Sequence, residues 1–248
     1  MIDVAVLPTL LDAAVLADAQ VVVLDVLRAS STIVTALANG AAEVRLFANP
    51  EAVRTARQAW PAAEAQAITG GERGCLKISG FDLGNSPVEY TPDVVSGATV
   101  LLSTTNGTRA ALAVRGARDI YIGGLLNAEA TAAALLANLD RGHTLLVAAG
   151  TDGKVALEDV LGAGAILWHI LESTYRADLA LTDTAWLAYH AFGSVKKRLP
   201  AALRLGAGGQ NLIRAGLESD IDRCAALNSQ PIVAQAHGDP PRVMRSQK

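Results

Sequence analysis

Through Gly70-Gly71-Glu72-Arg73-Gly74-Cys75-Leu76-Lys77-Ile78-Ser79-Gly80-Phe81-Asp82-Leu83-Gly84-Asn85-Ser86-Pro87, glycines and charged side chains interrupt any amphipathic period. Such a stretch is expected to form a binding surface rather than a core element. Its polar members, Glu72, Arg73, Lys77, Asp82, Asn85 and Ser86, combine cations with carboxylates. That mixture suits an anionic substrate with a metal ion better than an apolar ligand. A long solvated loop is the plain alternative.

Three further groups of residues could do chemistry. Asp25 stands at the end of an apolar run, and Arg28 follows in the turn to the next helix; in open parallel sheets ligands bind just beyond the carboxyl ends of strands. Asp25 reads there either as a site residue or as a helix cap. Ser103-Thr104-Thr105-Asn106-Gly107-Thr108-Arg109 places hydroxyls, an amide and a glycine at an expected helix start, where free N–H groups favour a phosphate or sulfonate. One such residue suffices for capping, and this segment has several. Glu158 and Asp159 follow Gly150-Thr151-Asp152-Gly153 and read either as acids favoured at a helix start or as ligands for a hard cation such as Mg²⁺.

Several familiar sites are absent. No P-loop pattern occurs, Asp25-Val26-Leu27 lacks the second acid of a haloacid-dehalogenase signature, and Cys75 lacks the arginine of a cysteine-dependent phosphatase loop. His143, His169, His190 and His237 show no ligand spacing.

The elements that must position these groups are apolar runs at Gln20–Val26, Glu43–Phe47, Thr99–Ser103, Asp119–Ile122 and Thr144–Ala148, each of strand length and rich in Val, Ile and Leu. They read as buried parallel strands. Helices are expected from Ser30 to Gly40, from Asn49-Pro50 to before Pro61, and at Leu157–Glu172, Thr182–Leu199 and Leu212–Leu227. Val21 to Ser30 and Thr99 to Thr108 each run from an apolar strand through a polar turn into an Ala/Val/Leu helix ending at a glycine. The echo implies an α/β fold of two similar, closely packed halves, about 1–98 and 99–228, with mainly parallel sheets flanked by helices; 229–248 is expected to be an extended or partly disordered tail.

The 248 residues are 51% hydrophobic but 4% aromatic, so the core must be aliphatic. A net charge of −3 without a basic run argues against nucleic acid or a membrane surface as partner. The N-terminus has no signal-peptide pattern and no run is long enough to span a bilayer. With Cys75 and Cys224 too few for a disulfide framework, a cytoplasmic protein is expected, its oligomeric state open.

Taken together, Asp25 to Thr32, Gly71 to Arg73, Gly80 to Pro87, Thr104 to Thr108, Asn127-Ala128, Gly150-Thr151 and Glu158-Asp159 resemble, in order and spacing, the blocks of the 2-phosphosulfolactate phosphatase family. That family is Mg²⁺-dependent and linked to coenzyme M biosynthesis in methanogens, and it also occurs in bacteria without that pathway. The resemblance implies a phosphoric monoester hydrolase acting on 2-phospho-3-sulfolactate or a similar small phosphorylated acid. On that basis Asp25 is expected to be nucleophile or metal ligand, with Asp82, Glu158 and Asp159 completing the Mg²⁺ environment. Arg28, Arg73 and Lys77 would pair with substrate anions rather than with core partners. Asn85, Ser86 and the run Thr104, Thr105, Asn106, Gly107 and Thr108 would hold the substrate. The competing reading is a regulatory protein that binds a phosphorylated metabolite without hydrolysing it; it has no use for so many carboxylates unless a cation sits among them.

Overall fold

Alternate side chains of the strand at Ala19–Leu24 enter two different cores: Val21 and Val23 pack on one face of the sheet, Val22 and Leu24 on the other. Burial on both faces is why this strand is apolar throughout instead of alternating with polar residues. Each fully buried aliphatic side chain of this kind contributes about 1.5–3 kcal/mol. The computed structural model describes residues 1–61, 65–173 and 179–246.

In chain order the strands and α-helices are β1 (Ile2–Ala5), β2 (Ala19–Leu24), α1 (Ala29–Ala38), β3 (Glu43–Leu46), α2 (Pro50–Gln58), β4 (Ala67–Arg73), β5 (Leu76–Lys77), α3 (Pro92–Val95), β6 (Thr99–Ser103) and α4 (Gly107–Ala113). Then come β7 (Asp119–Gly123), α5 (Ala128–Leu136), β8 (His143–Ala148), α6 (Leu157–Ser173), α7 (Asp183–Val195), α8 (Leu199–Leu205), α9 (Ala207–Arg214), α10 (Ser219–Cys224), β9 (Ala234–His237) and β10 (Arg242–Arg245). The strands form one sheet in the order β1-β8-β2-β7-β9-β10-β3-β6-β4-β5. The fold is mixed α/β with a mostly parallel sheet flanked by helices, as the alternation of elements in the sequence led us to expect.

The unit β2-α1-β3 crosses from one block of parallel strands (β1, β8, β2, β7) to the other (β3, β6, β4), and β6-α4-β7 crosses back. Each block therefore takes strands from both segments of the sequence echo. Helices α1 and α4 pack into the core on one face. On the other face α5, α6 and α7 cover the first block, while Val53 of α2 with Ile78, Phe81 and Leu101 covers part of the second.

Residues 229–246 are not a loose tail. β9 pairs antiparallel with β7 and β10, and β10 pairs antiparallel with β3, so this hairpin joins the two blocks at the centre of the sheet. Its inward residues Ala234, Ala236 and Val243 are small, which hid the pattern. The helix expected across Leu212–Leu227 is two: Gly216 takes φ +74 and the Leu217 N–H returns to the Leu212 carbonyl, closing α9 before α10 begins. Likewise Thr182–Leu199 resolves into α7 and the start of α8. Among the described residues no helix is long and apolar enough to cross a membrane.

Candidate active site

β2 ends one residue before Asp25 because side chains capture the backbone that would have continued it. The Asp25 N–H donates to Ser30 Oγ at 2.8 Å, and the Val26 N–H donates to Asp159 Oδ1 at 2.8 Å. The neighbouring hydroxyl of Ser31 braces the same turn by donating to the Val26 carbonyl, and Thr32 ties α1 to the segment around Asn85 by donating to its carbonyl, each at 2.8 Å. Asp25 is thus held, almost fully buried, at the floor of a cleft of about 470 Å³. It also caps α1, its Oδ1 accepting the Ala29 N–H at 3.2 Å. The cap and site readings of Asp25 are therefore compatible.

The turn after β6 meets the turn after β2 at this point. A Cβ built on Gly107, the first residue of α4, would lie 2.7 Å from Asp25 Oδ2. Burial pushes the Asp25 carboxyl up to about 7; the Ala29 N–H opposes the shift, the Glu72 and Glu158 carboxyls add to it, and the Gly107 N–H opposes it again. Asp159 is shifted up for the same main reason, with Asp25 and Glu158 adding to it. Its oxygens already accept the Val26 and Gly150 N–H groups, so Asp159 fastens two loops together. Glu158 is buried and its carboxyl also raised by burial. Its Oε1 lies against Gly208, where a Cβ would come within 1.9 Å, and its Oε2 has no hydrogen-bond partner.

Glu72, noted in the sequence but given no role there, is the clasp of the cleft. One of its oxygens accepts the Thr105 N–H at 2.8 Å and the other the Cys75 N–H at 3.0 Å. Thr104 and Thr108 satisfy each other, their hydroxyls 3.0 Å apart and each accepting the other's backbone N–H. They shape the loop, while Thr105 and Asn106 line the cleft and the buried Thr105 Oγ1 is left without a partner. Asn85 also lines the cleft, 4% exposed, with its Oδ1 unpartnered.

Other expected site residues have different employment. Arg28 lines the cleft, yet its Nη1 is 2.6 Å from Asp220 Oδ2 with both side chains buried, and its Nη2 donates to the Cys75 carbonyl at 2.7 Å. It has a core partner, against expectation, and a charge that far inside a protein must. Ser86 donates to the other Asp220 oxygen at 2.5 Å and so holds the acid rather than the cleft wall. Arg73 bonds the Glu72 and Ser103 carbonyls and Ser103 Oγ. Asp82 accepts from the Thr69 N–H and hydroxyl, each at 2.8 Å, and Lys77 reaches the Asp82 carbonyl at 3.4 Å. Neither Asp82 nor Lys77 lines the cleft.

The four carboxylates expected around a metal are therefore not assembled as one shell; among the described residues no three His, Cys, Asp or Glu side chains stand close enough to hold an ion by themselves. Sequence reasoning missed Gly208, Asn211, Arg214 and Ala215 around α9, which line the cleft together with Thr151 and Asp152 of the segment noted before Glu158. Asp220 was missed as well. Only the glycine pair Gly208-Gly209 hinted that backbone comes close to something there.

A family model described as 2-phosphosulpholactate phosphatase matches residues 6–239. Among similar proteins, one from Synechococcus sp. (strain RCC307), described as a probable 2-phosphosulfolactate phosphatase, is 39% identical over 233 residues, 93% of each chain. Proteins with the same description from Carboxydothermus hydrogenoformans and Deinococcus radiodurans are 39% and 40% identical, the first over 89% of this chain and 87% of its own, the second over 85% of each.

Proposed function

The chain belongs to the 2-phosphosulfolactate phosphatase family, which makes it a phosphoric monoester hydrolase, and from that premise we propose that its reaction is the Mg²⁺-dependent hydrolysis of 2-phospho-3-sulfolactate to 3-sulfolactate and phosphate. The observation that carries the metal dependence is the Glu158 carboxyl, buried with one oxygen unpartnered and near enough to Asp25 to raise its pKa. Carboxyls removed from water in this way call for a cation. Mg²⁺ takes one or two protein carboxylates, completes its octahedron with water and substrate phosphate, and so fits a pair such as Asp25 and Glu158 where a larger protein shell is lacking. Bound there, it would neutralise phosphate charge.

The chain's own residues do the rest. Thr105 and Asn106 offer polar groups to the phosphate, and Glu72 fixes Thr105 by its backbone. Arg28 presents a guanidinium already oriented by Asp220. Asn85 brings to the cleft wall an amide whose oxygen has no protein partner. Asp25 serves either as the attacking carboxylate or as the ligand that aligns the reacting groups. The free thiols of Cys75 and Cys224 support a reducing, cytoplasmic location.

The test is phosphate release from a panel of small phosphorylated acids with and without Mg²⁺. The reading expects 2-phospho-3-sulfolactate to give the highest kcat/KM and chelation to abolish release. Preference for a phosphorylated acid without a sulfonate would replace the substrate, and undiminished turnover in metal-stripped buffer would remove the metal.

A further inference from the structure

We propose that Arg214 binds the second anion of the substrate, its sulfonate arm, and thereby sets which phosphorylated acids the enzyme accepts. The inference rests on the phosphatase reading given above and assigns a role to a wall of the cleft that reading leaves unused.

The charge pattern of the cleft is the starting point. Asp25, Glu72 and Asp152 line it, and the cations lining it are Arg28 and Arg214. Arg28 is neutralised by Asp220 at 2.6 Å. Arg214 has a neutral partner, Asn211 Oδ1, which takes one N–H from Nη2, and among the described residues no carboxylate pairs with it. A multiply charged anion entering so acidic a cleft needs a positive group free to meet it, and Arg214 is the group on its wall that answers to that description.

Position supports the same assignment. Helix α9 is docked on the carboxyl centre, since Gly208 leaves no room for a side chain beside Glu158. Arg214 lies six residues further along the helix, an axial rise of about 9 Å, which an extended arginine side chain spans in large part. Arg28, Cys75 and Arg214 line the same cleft, so both guanidiniums belong to one site. One N–H of the guanidinium is committed to Asn211, and a planar fork with further donors suits two oxygens of one sulfonate.

The experiment compares kcat/KM for 2-phospho-3-sulfolactate and for 2-phospholactate, which lacks the sulfonate, in wild type, Arg214→Gln and Arg214→Lys. Calorimetric binding of the product 3-sulfolactate, against lactate, is measured on the same proteins with Mg²⁺. The wild-type preference for the sulfonated substrate should fall roughly ten- to a hundredfold in Arg214→Gln, the worth of a charged hydrogen bond, chiefly through KM, with partial recovery in Arg214→Lys. Affinity for 3-sulfolactate should fall in parallel. An unchanged preference and unchanged 3-sulfolactate affinity in Arg214→Gln would overturn the assignment while leaving the phosphatase reading intact. Arg214-dependent binding of 3-sulfolactate by a wild-type protein that releases no phosphate would uphold the assignment and overturn the reading.

Discussion

Gly107 stands where any side chain would strike Asp25: a Cβ there lies 2.7 Å from Oδ2 and 2.6 Å from the Ala29 methyl. The two residues come from the two echoing strand-turn-helix units, so the contact marks where those units meet. Overfilling such a junction typically costs about 1–3 kcal/mol and moves backbone. Gly107→Ala should therefore lower kcat/KM by at least about tenfold while melting remains cooperative and only modestly lower. Wild-type kinetics in this variant would show that the Asp25 position does not depend on the start of α4.

The buried pair Arg28–Asp220 makes a different forecast from the one the sequence alone invites. Removing one partner leaves a charge in the interior, which costs about 3–5 kcal/mol. Arg28→Ala should consequently lose stability as well as activity, and denaturant unfolding of Arg28→Ala and Asp220→Asn would show both midpoints well below wild type. An Arg28→Ala protein as stable as wild type would mean that the pair is not formed in solution.

Asp25 also makes the metal-free protein sensitive to pH. Its carboxyl is pushed from the model-peptide value near 4 up to about 7, so between those limits the folded chain binds more protons than the unfolded one. Stability must then fall as pH rises through that window, by an amount on the order of a few kcal/mol, and Asp159 acts in the same direction. In EDTA the melting temperature should drop between pH 5 and pH 8, and Asp25→Asn should flatten the drop. A melting temperature that climbs over that range would contradict the environment assigned to Asp25.

Glu158 supplies an independent check on the cation. Its unpartnered Oε2 should make Mg²⁺ stabilising, because a ligand that binds only the folded chain raises its melting temperature with concentration. Glu158→Gln removes the charge and relieves repulsion on Asp25. The variant should melt higher than wild type in EDTA and respond less to added Mg²⁺; an undiminished Mg²⁺ response would place the ion elsewhere.

Much of this site was legible because its chemistry is local in the chain. Strand β6 was readable to the residue; Asp25 and the Thr104–Thr108 segment directly follow apolar strands, and Glu158-Asp159 open the helix α6 that comes after β8. What escaped was long-range. Asp220 captures Arg28 across 192 positions, and nothing in Ser219-Asp220-Ile221-Asp222 distinguishes the acid that is buried from the one that is exposed. Asp82 lies outside the cleft, and its Oδ2 accepts both the N–H and the hydroxyl of Thr69, thirteen positions earlier. The hairpin of β9 and β10 was hidden for another reason, since a strand completed by neighbours on both sides needs little apolar bulk of its own.

The most direct test of the account is turnover of 2-phospho-3-sulfolactate by Asp25→Asn, measured as phosphate release at the Mg²⁺ concentration that just saturates wild type, beside its melting temperature. The amide keeps the shape and one oxygen but can neither attack phosphorus nor carry charge to a cation. We expect release to fall at least a hundredfold from a protein that melts no lower than wild type in EDTA, with excess Mg²⁺ recovering part of it only if Asp25 is a ligand. Near-normal release would contradict the account, leaving Asp25 as the cap of α1 and moving the chemistry elsewhere in the cleft.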